Sequence, residues 1–140
     1  MNSTSAKSFI DTNIIIYSHT NSFPEKQLIA QDLLNFLPYP IISIQVLNEF
    51  ISAYRKKFKA EWSDIQTAIV EIIKNYEIHS IIIRTIAKAC SISERYGFSY
   101  YDSLIITAAL ETDCTTLYSE DLQDGQVIEG KLQIVNPFKN

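Results

Sequence analysis

Ser8-Phe9-Ile10-Asp11-Thr12-Asn13-Ile14-Ile15-Ile16-Tyr17 is the stretch from which the rest of this chain is read. Phe9 and Ile10 make an apolar run too short for a helix of its own, which predicts a buried strand. Asp11 then stands where the strand runs out, with Thr12 and Asn13 as a turn and a helix start. In an open α/β sheet, ligands bind at the carboxyl ends of the strands. An Asp at that place reads as a metal ligand or a nucleophile, and equally as a turn residue capping the next segment. The other segments must decide.

Downstream, Leu28, Ile29, Leu33, Leu34 and Leu37 recur at helical spacing between Pro24 and Leu37, and Pro38-Tyr39-Pro40 stops that helix. Ile41-Ile42 predicts a very short strand, and Ser43 is placed to cap the helix after it. That helix is expected from Ile44 to about Lys59, with Val46, Leu47, Phe50, Ile51, Tyr54 and Phe58 as its apolar stripe. Glu49 falls beyond the edge of that stripe, beside Ser52 and Ala53, where it suits solvent or a polar cleft alike. Arg55, Lys56, Lys57 and Lys59 crowd the end of the helix. Cations there complement the helix dipole. The competing reading is a patch that contacts a phosphate backbone.

Trp62 to Asn75 predicts another amphipathic helix, Ile78 belongs to a short strand, and Ile81 to Tyr96 is a further helix ended by Gly97. These pieces read as scaffold. Ser99-Tyr100-Tyr101-Asp102 then precedes the apolar run of Leu104, Ile105 and Ile106, a capping-box-like start that gives Asp102 a structural task. Asp102 nevertheless shares a helical face with Ile106 and Ala109, and a carboxylate turned toward a core needs a partner, of which a metal is one. Thr115 to Tyr118 reads as a strand, and Ser119 to Gly125 as its turn, with Glu120, Asp121 and Asp124 at the strand's end. Lys131 to Val135 is the last strand, and Pro137 closes the domain.

Composition narrows the class. At 140 residues, with 46% hydrophobic and 20% charged side chains, residues 1–140 read as one globular domain. A net charge of -4 argues against a surface that binds nucleic acid throughout, while allowing a local basic patch or a metal that supplies positive charge. Cys90 and Cys114 form neither a disulfide framework nor a CxxC zinc site. His19 and His79 lack ligand spacing and read as ordinary turn or surface histidines, which disfavours zinc. The polar N-terminus, Met1 to Lys7, leads into no apolar run of signal-peptide or membrane-span length, so a soluble, cytoplasmic protein with no membrane partner is expected.

Strands alternating with helices predict an α/β domain with a mostly parallel sheet. Asp11 and Asp121 should then lie at one edge, with Glu49 and Asp102 leaning over it from helices. Such carboxylates repel unless something binds them. Oxygen-only ligands suit Mg²⁺ or Mn²⁺, which activate water and stabilise the leaving oxygen in phosphodiester hydrolysis. No Ser-His-Asp, P-loop or GxGxxG pattern offers rival chemistry. Phosphotransfer on Asp11 would want a second acid nearby, and Asn13 stands where a dehalogenase-like phosphatase has one.

Phe9-Ile10-Asp11-Thr12-Asn13, Asn48-Glu49-Phe50, Tyr101-Asp102-Ser103-Leu104-Ile105 and Tyr118-Ser119-Glu120-Asp121-Leu122-Gln123 together resemble the PIN-domain ribonucleases, most of all the VapC-like toxins of toxin–antitoxin pairs. Each motif alone is weak; four in order, closed by Ile134-Val135-Asn136-Pro137-Phe138, are specific. The resemblance implies a three-layer α/β/α sandwich and a Mg²⁺-dependent (or Mn²⁺-dependent) endoribonuclease acting on RNA. It also implies a homodimer and inhibition by a separate antitoxin whose tail enters the cleft. Asp11, Glu49, Asp102 and Asp121 would be the acidic metal site, Asn13 would support Asp11 or a metal-bound water, and Ser119 stands where the family has Ser or Thr before the last acid. Glu120 and Asp124 remain rivals of Asp121 for the fourth acid. Arg55, Lys56, Lys57 and Lys59 would then be candidates to hold RNA. The competing reading is a catalytically silent PIN-like scaffold that binds RNA or a protein.

Overall fold

Ser8, Phe9 and Ile10 are all buried, as the residues of a strand covered on both faces must be. The computed structural model describes residues 6–139, so most of the polar N-terminal stretch on which the expectation of no signal peptide rests lies outside the described residues. The elements run β1 (Ser8–Ile10), α1 (Thr12–His19), α2 (Pro24–Phe36), β2 (Pro40–Ser43), α3 (Ile44–Lys56) and α4 (Trp62–Asn75). They continue β3 (Glu77–His79), α5 (Ile83–Tyr96), α6 (Tyr100–Glu111), β4 (Thr116–Tyr118), β5 (Val127–Ile128) and β6 (Leu132–Val135).

The six strands form one sheet in the order β3-β2-β1-β4-β6-β5, parallel throughout except for β5 against β6. The chain therefore moves outward from β1 to β3, then returns across the sheet to β4. With the right-handed crossovers of parallel strands, this reversal places α1 to α4 on one face and α5 and α6 on the other. That is the α/β/α sandwich. Between β1 and β4 lies the switch point where the strand order reverses, and where such sheets open a crevice for ligands.

Phe9, Ile10, Ile14, Ile15, Ile41, Ile42, Val46, Phe50, Ile105, Ile106, Leu117 and Ile134 form the core, each at most 1% exposed. Burying a side chain of this size contributes on the order of 2 kcal/mol. Helix α6 is buried all round from Ser103 to Ala109, which accounts for its unbroken apolar and small-residue run. No described helix is long and apolar enough to cross a membrane.

Three local expectations need correction. Helix α3 stops at Lys56 rather than near Lys59, because Lys59 takes a left-handed φ of 59°. The turn is closed instead by Ala60 N donating to Tyr54 O (3.1 Å) and by the Arg55 guanidinium donating to Ala60 O (2.9 Å). The short strand β5 is additional. It pairs with β6 through a hairpin whose central residues, Glu129 and Gly130, both have positive φ (53° and 67°), the backbone of a type I′ turn. Glu129 is held in that conformation by Arg95 (2.7 Å) and by Tyr96 OH (2.8 Å) donating to its carboxylate. The histidines, finally, expected as ordinary turn or surface groups, are half-buried and engaged. His19 bonds Ile15 O through Nδ1 (3.0 Å) and packs edge-on against Phe50, while His79 Nε2 lies 2.9 Å from Glu111 Oε1. Both cysteines are free, Cys90 exposed and Cys114 buried.

Candidate active site

Parallel pairing sets Ile10 opposite Tyr118, so Asp11 and Ser119 leave their strands side by side. Asp11 N donates to Tyr118 O (3.0 Å), extending the ladder by one bond. The side chain then caps α1, its Oδ1 accepting from Thr12 N at 2.7 Å. Its second oxygen, Oδ2, accepts from Ser119 Oγ at 2.7 Å. Capping and site membership are thus not alternatives here. One oxygen performs the structural task, and the other faces Ser119.

Ser119 is fully buried and its hydroxyl works in both directions. While donating to Asp11, it accepts from Asp121 N (3.2 Å) and Leu122 N (3.3 Å), folding the loop after β4 back toward β1. Asn13 spans the same gap: its Nδ2 donates to Asp121 Oδ2 (2.9 Å), and its Oδ1 accepts from Glu120 N (3.3 Å). Glu49 arrives from α3, whose start is capped by Ser43 accepting from Val46 N. Its carboxylate accepts from Thr12 Oγ1 (3.3 Å) and from Gln45 Nε2 (2.6 Å), one helical turn earlier.

Asp11 is only 5% exposed, and its pKa is pushed up from 3.8 to about 7. Burial is the main cause; the bonds from Ser119 and Thr12 oppose the rise, and the charges of Glu49 and Asp121 add to it. A carboxylate this reluctant to ionise, with two more acids close enough to raise it further, makes a set of hard oxygen donors that fits a hard divalent cation. Among the described residues, however, no three acidic, His or Cys side chains already stand close enough together to grip an ion.

The structure brings Asp11, Asn13, Glu49, Ser119 and Asp121 together. Asp102 occupies the first turn of α6, half-buried, at the end of a helix that favours negative charge. The expected capping box is only half made: Ser99 Oγ accepts from Asp102 N at 3.2 Å, and among the described residues the Asp102 carboxylate makes no bond in return. Of the rivals to Asp121, Glu120 is engaged by Tyr17 OH (2.7 Å) and by Lys26, and Asp124 accepts from Asn136 N (2.8 Å). Arg55, Lys56, Lys57 and Lys59 lie at the far end of α3, largely solvated, with Arg55 stacked on Trp62 at 5.1 Å. Sequence reasoning misses Gln45, Tyr17 and Lys26. Gln45 alone has a local signal, its spacing of four residues before Glu49.

Known proteins agree with this architecture. The family model of the PIN domain matches residues 8–123. None of the curated proteins compared matches the sequence. Among solved structures, a toxin–antitoxin complex from Klebsiella pneumoniae is similar with a TM-score of 0.71 at 19% identity, over 96% of this chain and 100% of that one. VapC20 of Mycobacterium tuberculosis, described as a sarcin–ricin loop cleaving toxin, gives 0.70 at 13% identity over 82% and 92%. VapBC2 from Rickettsia felis, bound to a fragment of its promoter DNA, gives 0.63 at 18% over 92% and 98%. At such identities the structures speak for the fold alone. The family model, which spans both β1 and the loop after β4, shows that the chain belongs to the PIN-domain family.

Proposed function

We propose that this protein is a divalent-metal-dependent endoribonuclease, the toxin of a toxin–antitoxin pair, with Mg²⁺ or Mn²⁺ held by Asp11, Glu49, Asp102 and Asp121. The observation that carries the reading is the buried Asp11 at the β1/β4 switch point, flanked by Glu49 and Asp121. Three acids placed where their charges oppose one another make chemical sense as a cation site. A divalent ion bound there supplies Lewis acidity to a phosphodiester and makes water a stronger nucleophile at neutral pH. The chain's own residues do the rest. Ser119 fixes the face of Asp11 that is free to bind, Thr12 and Gln45 orient Glu49, and Asn13 keeps Asp121 beside Asp11. Asp102, on the N-terminal turn of α6, would complete the set, and among the described residues no capping bond occupies its carboxylate. Arg55, Lys56, Lys57 and Lys59 are the proposed contacts to the RNA backbone.

The toxin assignment is supported by the PIN family match and by solved neighbours that are themselves toxins or toxin–antitoxin complexes. A separate antitoxin and a homodimer belong to the same proposal. The test is cleavage of total RNA by the purified, antitoxin-free protein with Mg²⁺, with Mn²⁺ and with EDTA, beside Asp11→Asn. Cleavage that needs the metal and vanishes in the variant is expected. A variant cutting at the wild-type rate would sink the assignment of Asp11.

One observation favours a second reading, the silent scaffold: no three candidate ligands stand tightly together among the described residues. That reading predicts RNA binding without turnover under every metal.

A further inference from the structure

Glu120 sits between Ser119 and Asp121 in sequence, yet its carboxylate belongs to a different set of contacts. Tyr17 OH donates to Oε1 at 2.7 Å, and the Lys26 ammonium pairs with Oε2. Lys26 also donates to Tyr17 OH (3.4 Å) and lies over two aromatic rings, 4.8 Å from the centroid of Tyr17 and 5.3 Å from that of Phe138. Tyr17 meets Phe138 edge to face at 5.2 Å, and Phe23 at 5.5 Å. Lys26 lies in the first turn of α2, where a cation opposes the helix dipole. A lysine is a poor choice there unless a carboxylate answers it.

Two remote segments thus close on one loop residue, the second half of α1 through Tyr17 and the start of α2 through Lys26, and Phe138 packs behind both. The loop needs such a hold. Asp121 is exposed; Ser119 N, Gly125 N and Asp124 tie the two ends of the turn to β6 and Asn136, while beside Asp121 itself the bonds are those of Asn13 and two longer ones to Ser119 Oγ, at 3.2 and 3.3 Å. Glu120 N is in turn bound to Asn13 Oδ1, so the position of Glu120 passes directly to the residue that holds Asp121.

We infer that Lys26, backed by Tyr17 and Phe138, is a positioning residue: it holds Glu120 in a latch that sets Asn13 and Asp121 beside Asp11, and it keeps Glu120 out of the metal's ligand set. The inference rests on the metal-site reading above, and it separates two neighbouring acids by role. Asp121 is the ligand and Glu120 the anchor. Lys26 does not touch the substrate; it acts through Glu120.

The test is a cycle of Lys26→Met, Glu120→Gln and the double variant, with Asp121→Asn and Lys26→Arg beside them. Mn²⁺ affinity is read by electron paramagnetic resonance, and thermal melting is followed in EDTA. Lys26→Met and Glu120→Gln should each weaken Mn²⁺ binding about tenfold, the usual range for a residue that orients a ligand. The double variant should be no worse than either single one, because both break the same latch. Asp121→Asn should lose more, and Lys26→Arg should recover most of the affinity. In RNA cleavage, Lys26→Met should lower kcat with KM little changed. If Glu120→Gln lost as much as Asp121→Asn while Lys26→Met bound Mn²⁺ normally, Glu120 would be a ligand and the latch refuted. Lower melting in EDTA with unaltered Mn²⁺ affinity would make the cluster merely structural, and also refute it. A wild type that binds no Mn²⁺ would overturn the metal-site reading and this inference together, whereas wild-type binding with unaffected variants overturns the inference alone.

Discussion

At the scale of single residues, Asp11 is the group whose environment works hardest against it. Burial holds its pKa near 7 instead of 3.8, which has a definite sign for stability. Below its ordinary value the carboxyl is protonated in both folded and unfolded chains. Between that value and about 7 the folded chain retains a proton that the unfolded chain has lost, so metal-free stability falls as pH rises through this window. At roughly 1.4 kcal/mol per unit, the full loss above a pH of about 7 is at most about 4 kcal/mol. Melting in EDTA from about pH 5 to 8 should therefore favour Asp11→Asn over the wild type by a growing margin. Parallel curves for the two proteins would mean that Asp11 ionises without hindrance. Legibility at this scale is uneven. Asp11 stands out because a lone acid closes an apolar run, whereas its second partner, Ser119, lies across a strand pair and is marked only by the family motif at 118–123.

At the scale of elements, caps and periodicity carry most of the reading. Helix α4 spans Trp62 to Asn75 as its apolar spacing predicts, and Ser43 and Ser99 cap α3 and α6. Ser99→Ala should cost about 1 kcal/mol through the lost bond to Asp102 N, seen as a lower melting temperature. Because that turn carries Asp102, cleavage should fall beyond what the melting shift explains; unchanged cleavage would place Asp102 outside the site. The end of α3 escapes the sequence because a single left-handed residue, Lys59, stops a helix that spacing alone would continue. Strand β5 escapes it for a related reason. Two residues have no periodicity, and what makes them a strand is the partner β6 and the hairpin at Glu129-Gly130.

At the scale of the molecule, the reversal of strand order between β1 and β4 assembles the site from segments far apart in the chain. Under the proposed function, the same scale sets where RNA would lie. With a net charge of -4, the exposed Lys56 and Lys57 are local exceptions. Replacing both by Ala should weaken RNA binding and flatten its salt dependence by roughly 0.7 for each phosphate of a single strand that is no longer neutralised. An unchanged slope would leave these lysines with the helix dipole alone. Arg55 is a poorer probe, since it also closes the α3–α4 turn on Trp62 and Ala60. By itself the sequence determined the alternation of strands and helices, the caps and the acids at strand ends, because each depends on neighbours within a turn or two of chain. Only the tertiary structure decided which acid after β4 faces Asp11. Asp121 is bound to Asn13, Glu120 to Lys26 and Asp124 to Asn136, and those partners lie far off in the chain or across the sheet's edge. Three similar acids on one loop differ in nothing local; the groups that folding brings to each one give them different chemistry.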